Sequence, residues 1–270
     1  MIDFSVLMSL YTKETPGNLE QCFESLFNQT YQANEIIVVL DGPINEQLHS
    51  VINKWAEFLP LHIVPLPNNV GLGNALNIGM KSCNHALIAR MDTDDICVPN
   101  RFELQIRKFS ESPELCILGG AISEFENDIN ISTGVRKVPE THVDILKYAV
   151  LKNPFNHMTV MFKKDEIMSV GGYMHHHFME DYNLWLRVLS KGKTVGNIAD
   201  ILVYARTGNA MLNRRRGLSY IHSELILARL KHKLGFQNFL SASCILLLRS
   251  LPRLLPITLF RKIYSVMRKQ

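Results

Sequence analysis

Strand-like and helix-like segments alternate through the first hundred residues, and no other feature of the sequence constrains the fold as strongly. Apolar runs rich in β-branched residues predict strands at residues 4–10, 35–40, 62–64 and 85–91. Amphipathic spacing predicts helices at about 17–30, 45–58 and 73–83. This order indicates a parallel sheet with helices on both faces. The carboxyl ends of its strands would meet at one edge, where open α/β sheets bind ligands.

Three carboxylates follow the fourth predicted strand directly, in the sequence Asp92-Thr93-Asp94-Asp95. Like charges this close repel one another unless a cation lies between them. A hard divalent cation such as Mg²⁺ or Mn²⁺ takes oxygen ligands and shares them with phosphates, so it is the expected partner. The alternative is a solvated acidic turn that caps the next helix, with Asp95 as a cap for residues 99–101.

Composition indicates an ordinary globular chain. It has 270 residues, of which 47% are hydrophobic and 20% charged, enough for one large α/β domain with an appendage. Its five cysteines are scattered, without a C-x-x-C pair, which favours a reduced cytosolic compartment. The first residues lack a basic leader, so we expect no signal peptide. The less regular second half predicts strands at 115–121 and 159–162 and a helix at 180–189.

Charge is distributed unevenly along the sequence. All 25 acidic residues lie at or before Glu224 and nine of the 29 Lys and Arg follow it, so residues 1–224 carry a net charge of −5. Such a basic, apolar tail suggests nucleic acid or an anionic membrane surface as partner. Its longest uncharged run, 15 residues from Leu234 to Leu248, is too short to span a bilayer. An amphipathic segment lying in the membrane interface fits better, and a helix pair packed on the α/β domain is the alternative.

Five ordered landmarks together resemble the family-2 glycosyltransferases, which are inverting enzymes with a GT-A fold. The resemblance covers residues 3–215, and it points to bacterial enzymes that build O-antigen, capsule or exopolysaccharide. The landmarks are Ser5–Tyr11, Ile37–Gly42, the N-x-G-x-x-x-A-x-N-x-G pattern of residues 69–79, Arg90–Asp95, and Glu180-Asp181-Tyr182-x-Leu184-Trp185-x-Arg187.

The resemblance implies an α/β, GT-A (nucleotide-diphospho-sugar transferase) fold. A mostly parallel central sheet would carry helices on both faces, with a helical amphipathic tail at the C-terminus. Residues 1–216 would form the catalytic domain, with a nucleotide-binding half at 1–100 and an acceptor-binding half at 101–216. Residues 217–270 would form the basic tail.

The resemblance also assigns the donor site. Asp94 would ligate Mn²⁺ or Mg²⁺ directly, and Asp92 would contact the ribose or the metal. Asp41 would accept a hydrogen bond from the base ring. The expected nucleotide-sugar contacts are Ser9, Tyr11, Asp41, Asn69, Gly71, Asn74, Arg90, Asp92, Arg214 and Arg215. For Asn69 the alternative is a role in holding the loop, and for the Arg214–Arg216 triplet it is a solvated helix start.

On the acceptor side, the resemblance makes Asp181 the general base and Glu180 a catalytic neighbour that binds acceptor hydroxyls or raises the pKa of the base. The alternative is that both acids only complement a helix dipole. His157, Gly172 and Trp185 would contact the acceptor, although a structural role for His157 is equally compatible with the sequence.

The resulting hypothesis is a metal-dependent inverting hexosyltransferase. It would move galactose or glucose from a UDP-sugar to a polyprenyl-diphosphate-linked saccharide, in β1,3 linkage to a HexNAc, during O-antigen synthesis. The expected location is the cytoplasmic face of the bacterial inner membrane, with peripheral attachment to its anionic surface and no nucleic-acid partner. The alternatives are a transferase acting on lipopolysaccharide core or capsule chains, a sugar nucleotidyltransferase, and a non-catalytic binding module.

Overall fold

The computed structural model describes residues 2–208 and 217–255. The first half is a regular α/β alternation: β1 (Phe4–Leu10), α1 (Pro16–Phe27), β2 (Glu35–Leu40), α2 (Glu46–Trp55), β3 (Leu61–Pro65), α3 (Leu72–Ser82) and β4 (Leu87–Arg90). The predicted strands and helices of this half are confirmed, with helix ends that differ by up to three residues. Thr15 caps α1 by accepting a hydrogen bond from the Asn18 amide, and Pro16 fits its first turn.

The second half is built from shorter elements: β5 (Ile96–Cys97), α4 (Arg101–Glu111), β6 (Ile117–Phe125), β7 (Gly134–Arg136), α5 (His142–Ala149), β8 (Met161–Lys163), α6 (Lys164–Ser169), α7 (Glu180–Ser190) and β9 (Val195–Arg206). The predicted strand at 159–162 starts later than expected. Thr159 ends a 3₁₀ turn, in which its hydroxyl donates to the Asn156 carbonyl at 2.8 Å.

A single twisted sheet orders the described strands as β3-β2-β1-β4-β8-β6-β9-β5, with β7 paired to β6. The first four strands are parallel, whereas β8 runs antiparallel to both β4 and β6. β4 therefore lies near the middle of the sheet, and its carboxyl end meets elements from both halves of the chain. This arrangement confirms the predicted mixed α/β fold.

Two hydrophobic cores cover the two faces of the sheet. Alternating residues of β1 enter different cores, since successive side chains of a strand point to opposite faces: Val6 and Met8 pack with α1, α2 and α4, whereas Leu7 packs with α3 and α7. Gly79 lets α3 approach the sheet closely, because a Cβ there would lie 2.4 Å from Leu7 Cδ1.

The C-terminal hairpin consists of α8 (Gly217–Lys233) and α9 (Phe239–Ser250). α8 joins the second core through Tyr220 and Leu227, which are buried against residues of α7. The alternative of a helix pair packed on the catalytic body therefore describes residues 217–255 better than a detached tail. The placement of the domain boundary at residue 216 remains a prediction. Within the described ranges, no helix is both long enough and apolar enough to cross a bilayer.

Candidate active site

The acidic loop, residues 92–95, follows β4 at the centre of the sheet. Backbone hydrogen bonding continues briefly past the strand, since the Met91 amide donates to the Leu7 carbonyl at 3.1 Å. Carboxylate oxygens of Asp92, Asp94 and Asp95 all lie within 4.8 Å of one another. Each offers a hard oxygen ligand, which is the donor type that Mg²⁺ and Mn²⁺ prefer.

Electrostatics make this loop a good cation site. Burial, helped by Asp92 and Glu14, raises the pKa of Asp94 to about 7. Burial and the charges of Asp92 and Asp94 also raise the pKa of Asp95. The Asp95 Oδ2 atom is buried without a hydrogen-bond partner in the described structure. Burying an unpartnered carboxylate oxygen beside two other acids costs free energy unless a cation binds to it. These residues therefore fit a divalent metal.

The alternative that Asp95 caps α4 is not supported by its contacts. Its Oδ1 accepts a hydrogen bond from the Arg206 amide at 2.7 Å instead, and Asn100, the first residue before α4, makes no side-chain cap. Asp95 is nearly fully buried beneath the loop. It therefore joins the acidic cluster rather than a helix terminus.

Two residues that the sequence did not single out support the acidic loop. Arg206 at the end of β9 donates through Nε to the Asp94 carbonyl at 3.1 Å. Glu14 accepts from the Thr93 hydroxyl at 2.7 Å. Arg206 lies more than a hundred positions from the loop, so only the pairing of β9 with β5 brings it there.

Arg90 lies beneath the loop and forms an ion pair with Asp92. Only 2% of its surface is exposed, and its Nε and Nη1 atoms are buried. Because the guanidinium is covered, the expected direct contact between Arg90 and the nucleotide-sugar is not supported by its position. Arg90 instead orients Asp92 and lends positive charge to the surrounding site.

A second loop lies at the carboxyl ends of β2 and β3. The Asp41 carboxylate accepts hydrogen bonds from Asn69 Nδ2 at 2.9 Å, the Val70 amide at 2.6 Å and the Gly71 amide at 3.1 Å. Gly42 has a φ of +88°, and a Cβ there would lie 2.8 Å from the Asn69 nitrogen. Since a carboxylate has about four acceptor positions, three are already occupied. The Asp41 carboxylate therefore holds the loop together with Asn69, and one acceptor position remains, so its hydrogen bond from a base ring stays a prediction.

The remaining donor-side residues lie along the same edge. Ser9 and Tyr11 stand at the end of β1, where 39% of Tyr11 is exposed. Asn74 is exposed in the first turn of α3, and its amide donates to the Val70 carbonyl at 2.9 Å. Arg214 and Arg215 lie outside the described residues.

Glu180 and Asp181 begin α7 on the other side of β4. Asp181 accepts from Asn153 Nδ2 at 2.6 Å and from the Tyr182 amide at 2.7 Å. Burial raises the pKa of Asp181, while the two hydrogen bonds and the charges of Arg136 and Arg90 oppose that rise. Burial also raises the pKa of Glu180, and the charge of Asp181 adds to the effect. A carboxylate with a raised pKa, held by oriented donors, is suited to accept a proton.

Tyr173 lies between the two acidic clusters, residues 92–95 and Glu180-Asp181. Its hydroxyl lies 2.7 Å from His157 Nε2, and its environment includes the charges of Arg90, Asp92, Glu180 and Asp181. Burial and Arg90 hold the pKa of His157 well below its usual value, so the imidazole is neutral. The half-buried position of His157 and its bond to Tyr173 favour the structural alternative.

Two expected acceptor contacts are placed elsewhere. Trp185 is fully buried, with its ring 5.4 Å from that of Phe155, so it belongs to the core and does not face the cleft. Gly172 is also buried, and its carbonyl accepts from Arg187 Nη2 at 2.6 Å. A Cβ on Gly172 would lie 2.5 Å from Asn77 Oδ1, so glycine is required there by close packing.

Comparison with known proteins decides the family. The model described as "Glycosyl transferase family 2" matches residues 5–167, which is more than half of the chain. The chain is a family 2 glycosyltransferase. This family 2 glycosyltransferase carries its two acidic clusters, residues 92–95 and Glu180-Asp181, on a sheet of the GT-A type. Membership of the family argues against a sugar nucleotidyltransferase and against a non-catalytic module.

Two relatives of this family 2 glycosyltransferase come from bacteria and match it over nearly its full length. It is 49% identical over 266 residues to the amylovoran biosynthesis glycosyltransferase AmsE of Erwinia amylovora, covering 98% of this chain and 99% of that protein. It is 36% identical over 262 residues to the Escherichia coli UDP-Gal:alpha-D-GlcNAc-diphosphoundecaprenol beta-1,3-galactosyltransferase, covering 97% and 95% respectively.

A solved structure supports the fold of this family 2 glycosyltransferase. The mannosyltransferase PcManGT of Pyrobaculum calidifontis, solved with GDP-Man and Mn²⁺, superposes with a TM-score of 0.62 at 14% identity. The match covers 99% of this chain and 80% of that one. At this identity the likeness establishes the GT-A fold alone.

Proposed function

We propose that this enzyme transfers a hexose, galactose or glucose, from a UDP-sugar to a lipid-linked saccharide with inversion at the anomeric carbon. One observation carries the proposal: an acidic loop suited to a divalent cation lies across Tyr173 from a half-buried carboxylate, Asp181, at the ligand-binding edge of the sheet. The named activity of the E. coli relative supports the substrate class.

The acidic loop would hold the metal. Asp94 would ligate the metal directly, and Asp92 would be shared between the metal and the donor. The unpartnered Oδ2 of Asp95 would add a further ligand. A divalent cation bound there would neutralise the leaving diphosphate. Arg90 and Arg206 fix the geometry of the loop, through the Asp92 carboxylate and the Asp94 carbonyl respectively. The presence of Mn²⁺ in the PcManGT structure supports this assignment.

Asp181 would accept the proton of the acceptor hydroxyl as that oxygen attacks the anomeric carbon. An inverting transfer is a single displacement, so one carboxylate opposite the leaving group is sufficient. Glu180, half-buried beside it, would bind acceptor hydroxyls. Ser9, Tyr11, Asn74 and the loop that Asp41 holds would receive the nucleotide, together with Arg214 and Arg215.

The acceptor would be anchored in a membrane through a polyprenyl diphosphate, and α9 supports such a location. Its outward face, together with the 3₁₀ turn that follows, carries six apolar side chains that are 59% to 74% exposed: Phe239, Leu240, Leu247, Leu248, Leu251 and Leu254. An exposed apolar stripe of this kind suits the bilayer interface. We therefore propose peripheral attachment to the cytoplasmic face of the inner membrane.

A donor and acceptor screen tests the function. Purified enzyme with Mn²⁺ is mixed with UDP-galactose or UDP-glucose and with GlcNAc linked to a short-chain polyprenyl diphosphate. We expect UDP release that depends on the acceptor, and a disaccharide product with a β1,3 linkage. Transfer only to preformed lipopolysaccharide core or capsule chains would contradict the proposed acceptor. No UDP release with any sugar nucleotide would contradict the reaction itself.

A further inference from the structure

The C-terminal hairpin makes an unusual contact with the body of the enzyme, at the residues that follow α5. The Val150 carbonyl accepts two hydrogen bonds from the hairpin: one from Lys231 Nζ at 2.8 Å and one from Gln237 Nε2 at 2.7 Å. Lys231 is 2% exposed, and its ammonium group also lies 4.6 Å from the centre of the Tyr182 ring. Two buried polar side chains therefore converge on one backbone oxygen.

A second contact comes from an ion cluster inside the hairpin. Glu224 of α8 is 2% exposed and pairs with Arg249 of α9, through contacts of 2.7 and 2.8 Å, and with Arg253 at 2.9 Å. The remaining terminal nitrogen of Arg249, Nη1, donates to the Leu151 carbonyl at 2.7 Å. The same guanidinium thus joins α8 to α9 and both helices to the catalytic body.

The clamped segment leads directly to the carboxylate that we assign as general base. Asn153 follows Val150 and Leu151 closely along the chain, and its Nδ2 donates to Asp181 Oδ2 at 2.6 Å. Its own carbonyl accepts from Arg136 Nη2 at 3.0 Å, and its Oδ1 accepts from the Phe155 amide. These contacts and the clamped residues before it together fix the direction of the Asn153 amide.

We propose that the C-terminal hairpin positions the catalytic base, by holding residues 150–152 so that Asn153 is aimed at Asp181. Asn153 is the positioning residue, and Lys231, Gln237 and Arg249 act through it. The inference rests on the proposed function, in which Asp181 accepts the acceptor proton. The competing explanation is that these side chains only satisfy carbonyls at the end of α5, where cations and amides are ordinary caps.

The two explanations differ in what they predict for the protonation of Asp181. Its carboxylate receives one of its two hydrogen bonds from Asn153, and loss of that bond disfavours the ionised form. A misdirected Asn153 should therefore shift the acidic limb of the rate profile to higher pH. Among the described residues, the other titratable or charged groups around Asp181 are Arg90, Arg136, Tyr173, His176, Glu180 and Tyr182. Lys231 faces Tyr182, and burial lowers its pKa to about 7.

The test compares Asn153→Ala with Lys231→Met in the full-length enzyme. Lys231→Met is nearly isosteric and leaves the Glu224–Arg249–Arg253 cluster intact. Lys191→Met, at the exposed end of α7, is the matched control. The readouts are kcat/KM for a short-chain soluble acceptor between pH 5 and 9, and the Kd for UDP. We expect both test variants to lose about tenfold in kcat/KM at pH 6, with the acidic limb moved to higher pH and the Kd for UDP unchanged.

A double variant decides whether Lys231 acts through Asn153. If it does, Asn153→Ala/Lys231→Met should be no worse than Asn153→Ala alone, because the second change removes support for an amide that is already gone. Additive losses would overturn the proposal, as would a Lys231→Met profile whose acidic limb coincides with that of the wild type. Gln237→Met repeats the comparison without altering any charge, so the result does not depend on the folding of one variant.

Failure of the proposed function would give a different result. Asp181→Asn, measured beside the others, keeps wild-type activity only if Asp181 is not the base. An inactive Asp181→Asn combined with unshifted profiles for Asn153→Ala and Lys231→Met overturns the positioning role and leaves the base assignment standing.

Discussion

At the scale of single residues, the protonation of the acidic loop is the property that a bound metal would change most. Asp94 has a pKa of about 7, well above its ordinary value, because it is buried beside Asp92 and Glu14. Folding without metal therefore favours the protonated acid. The stability that this preference supplies is fully present only below the ordinary pKa of 3.8, and it is lost progressively as the pH rises to about 7.

The first prediction is that Mn²⁺ reverses this loss. Metal-free enzyme should show a Tm that falls between pH 5 and 7 and then levels off, whereas enzyme with excess Mn²⁺ should gain stability as the pH rises, because the cation binds the ionised acids. Thermal unfolding followed by intrinsic fluorescence measures both curves. Asp94→Asn should flatten the metal-free curve and weaken the response to Mn²⁺. A Tm that Mn²⁺ leaves unchanged at pH 8 would contradict a metal site in the loop.

The second prediction concerns the base. Asp181→Asn keeps the shape of the side chain but cannot take up the proton, so kcat should fall by about 10²–10⁴-fold. The Kd for UDP, measured by calorimetry, should stay within about twofold, since Asp181 belongs to the acceptor side. Glu180→Gln is the matched comparison, and its main effect should be on KM for the acceptor. A parallel loss of UDP affinity in Asp181→Asn would place that residue in the donor site instead.

At the scale of elements, the loop after β2 depends on one carboxylate. Asp41 accepts three hydrogen bonds from residues 69–71 and is 5% exposed. The third prediction is that Asp41→Ala lowers the free energy of unfolding by about 3 kcal/mol, because buried donors lose a charged partner. Urea titration measures this change, and KM for the UDP-sugar should rise as the loop loosens. Unchanged stability with lost UDP affinity would show that Asp41 acts on the nucleotide directly.

The outward face of α9 gives the fourth prediction. A Leu247→Asp/Leu248→Asp variant should lose most of its sedimentation with vesicles that contain anionic lipid, because charged groups replace the apolar contact. High salt should release the wild type only in part, since Lys231, Arg249 and Arg253 already serve contacts inside the protein and apolar burial is not screened. Lys191→Asp serves as the control for added negative charge. Equal sedimentation of both variants would contradict the proposed membrane face.

At the scale of the whole molecule, the first half of the fold could be predicted because its elements are long and regular. β2 is buried at all six positions, and α1 repeats its apolar residues at helical spacing, so periodicity identifies both. β5, β7 and β8 have only two or three residues each, which is too short for any period to show. β5 and β8 also pair with strands far along the chain.

The candidate site, like the fold, could be predicted from the sequence only in part. The acidic loop could be predicted because its three carboxylates are adjacent in sequence and follow a recognisable strand. Arg206 and Asn153 could not, since each reaches its partner through tertiary packing. Trp185 was expected beside the acceptor because residues 180–187 resemble the family's acceptor-site helix, but its ring is fully buried in the core against Phe155.

The stereochemistry of transfer tests the central claim most directly. Enzyme, UDP-galactose and the GlcNAc-diphosphate lipid are combined with Mn²⁺ or with EDTA, and the anomeric proton coupling of the product is measured by NMR. The account predicts a single β-linked product that forms with Mn²⁺, disappears in EDTA and returns when the metal is restored. An α-linked product, or undiminished transfer in EDTA, would contradict it.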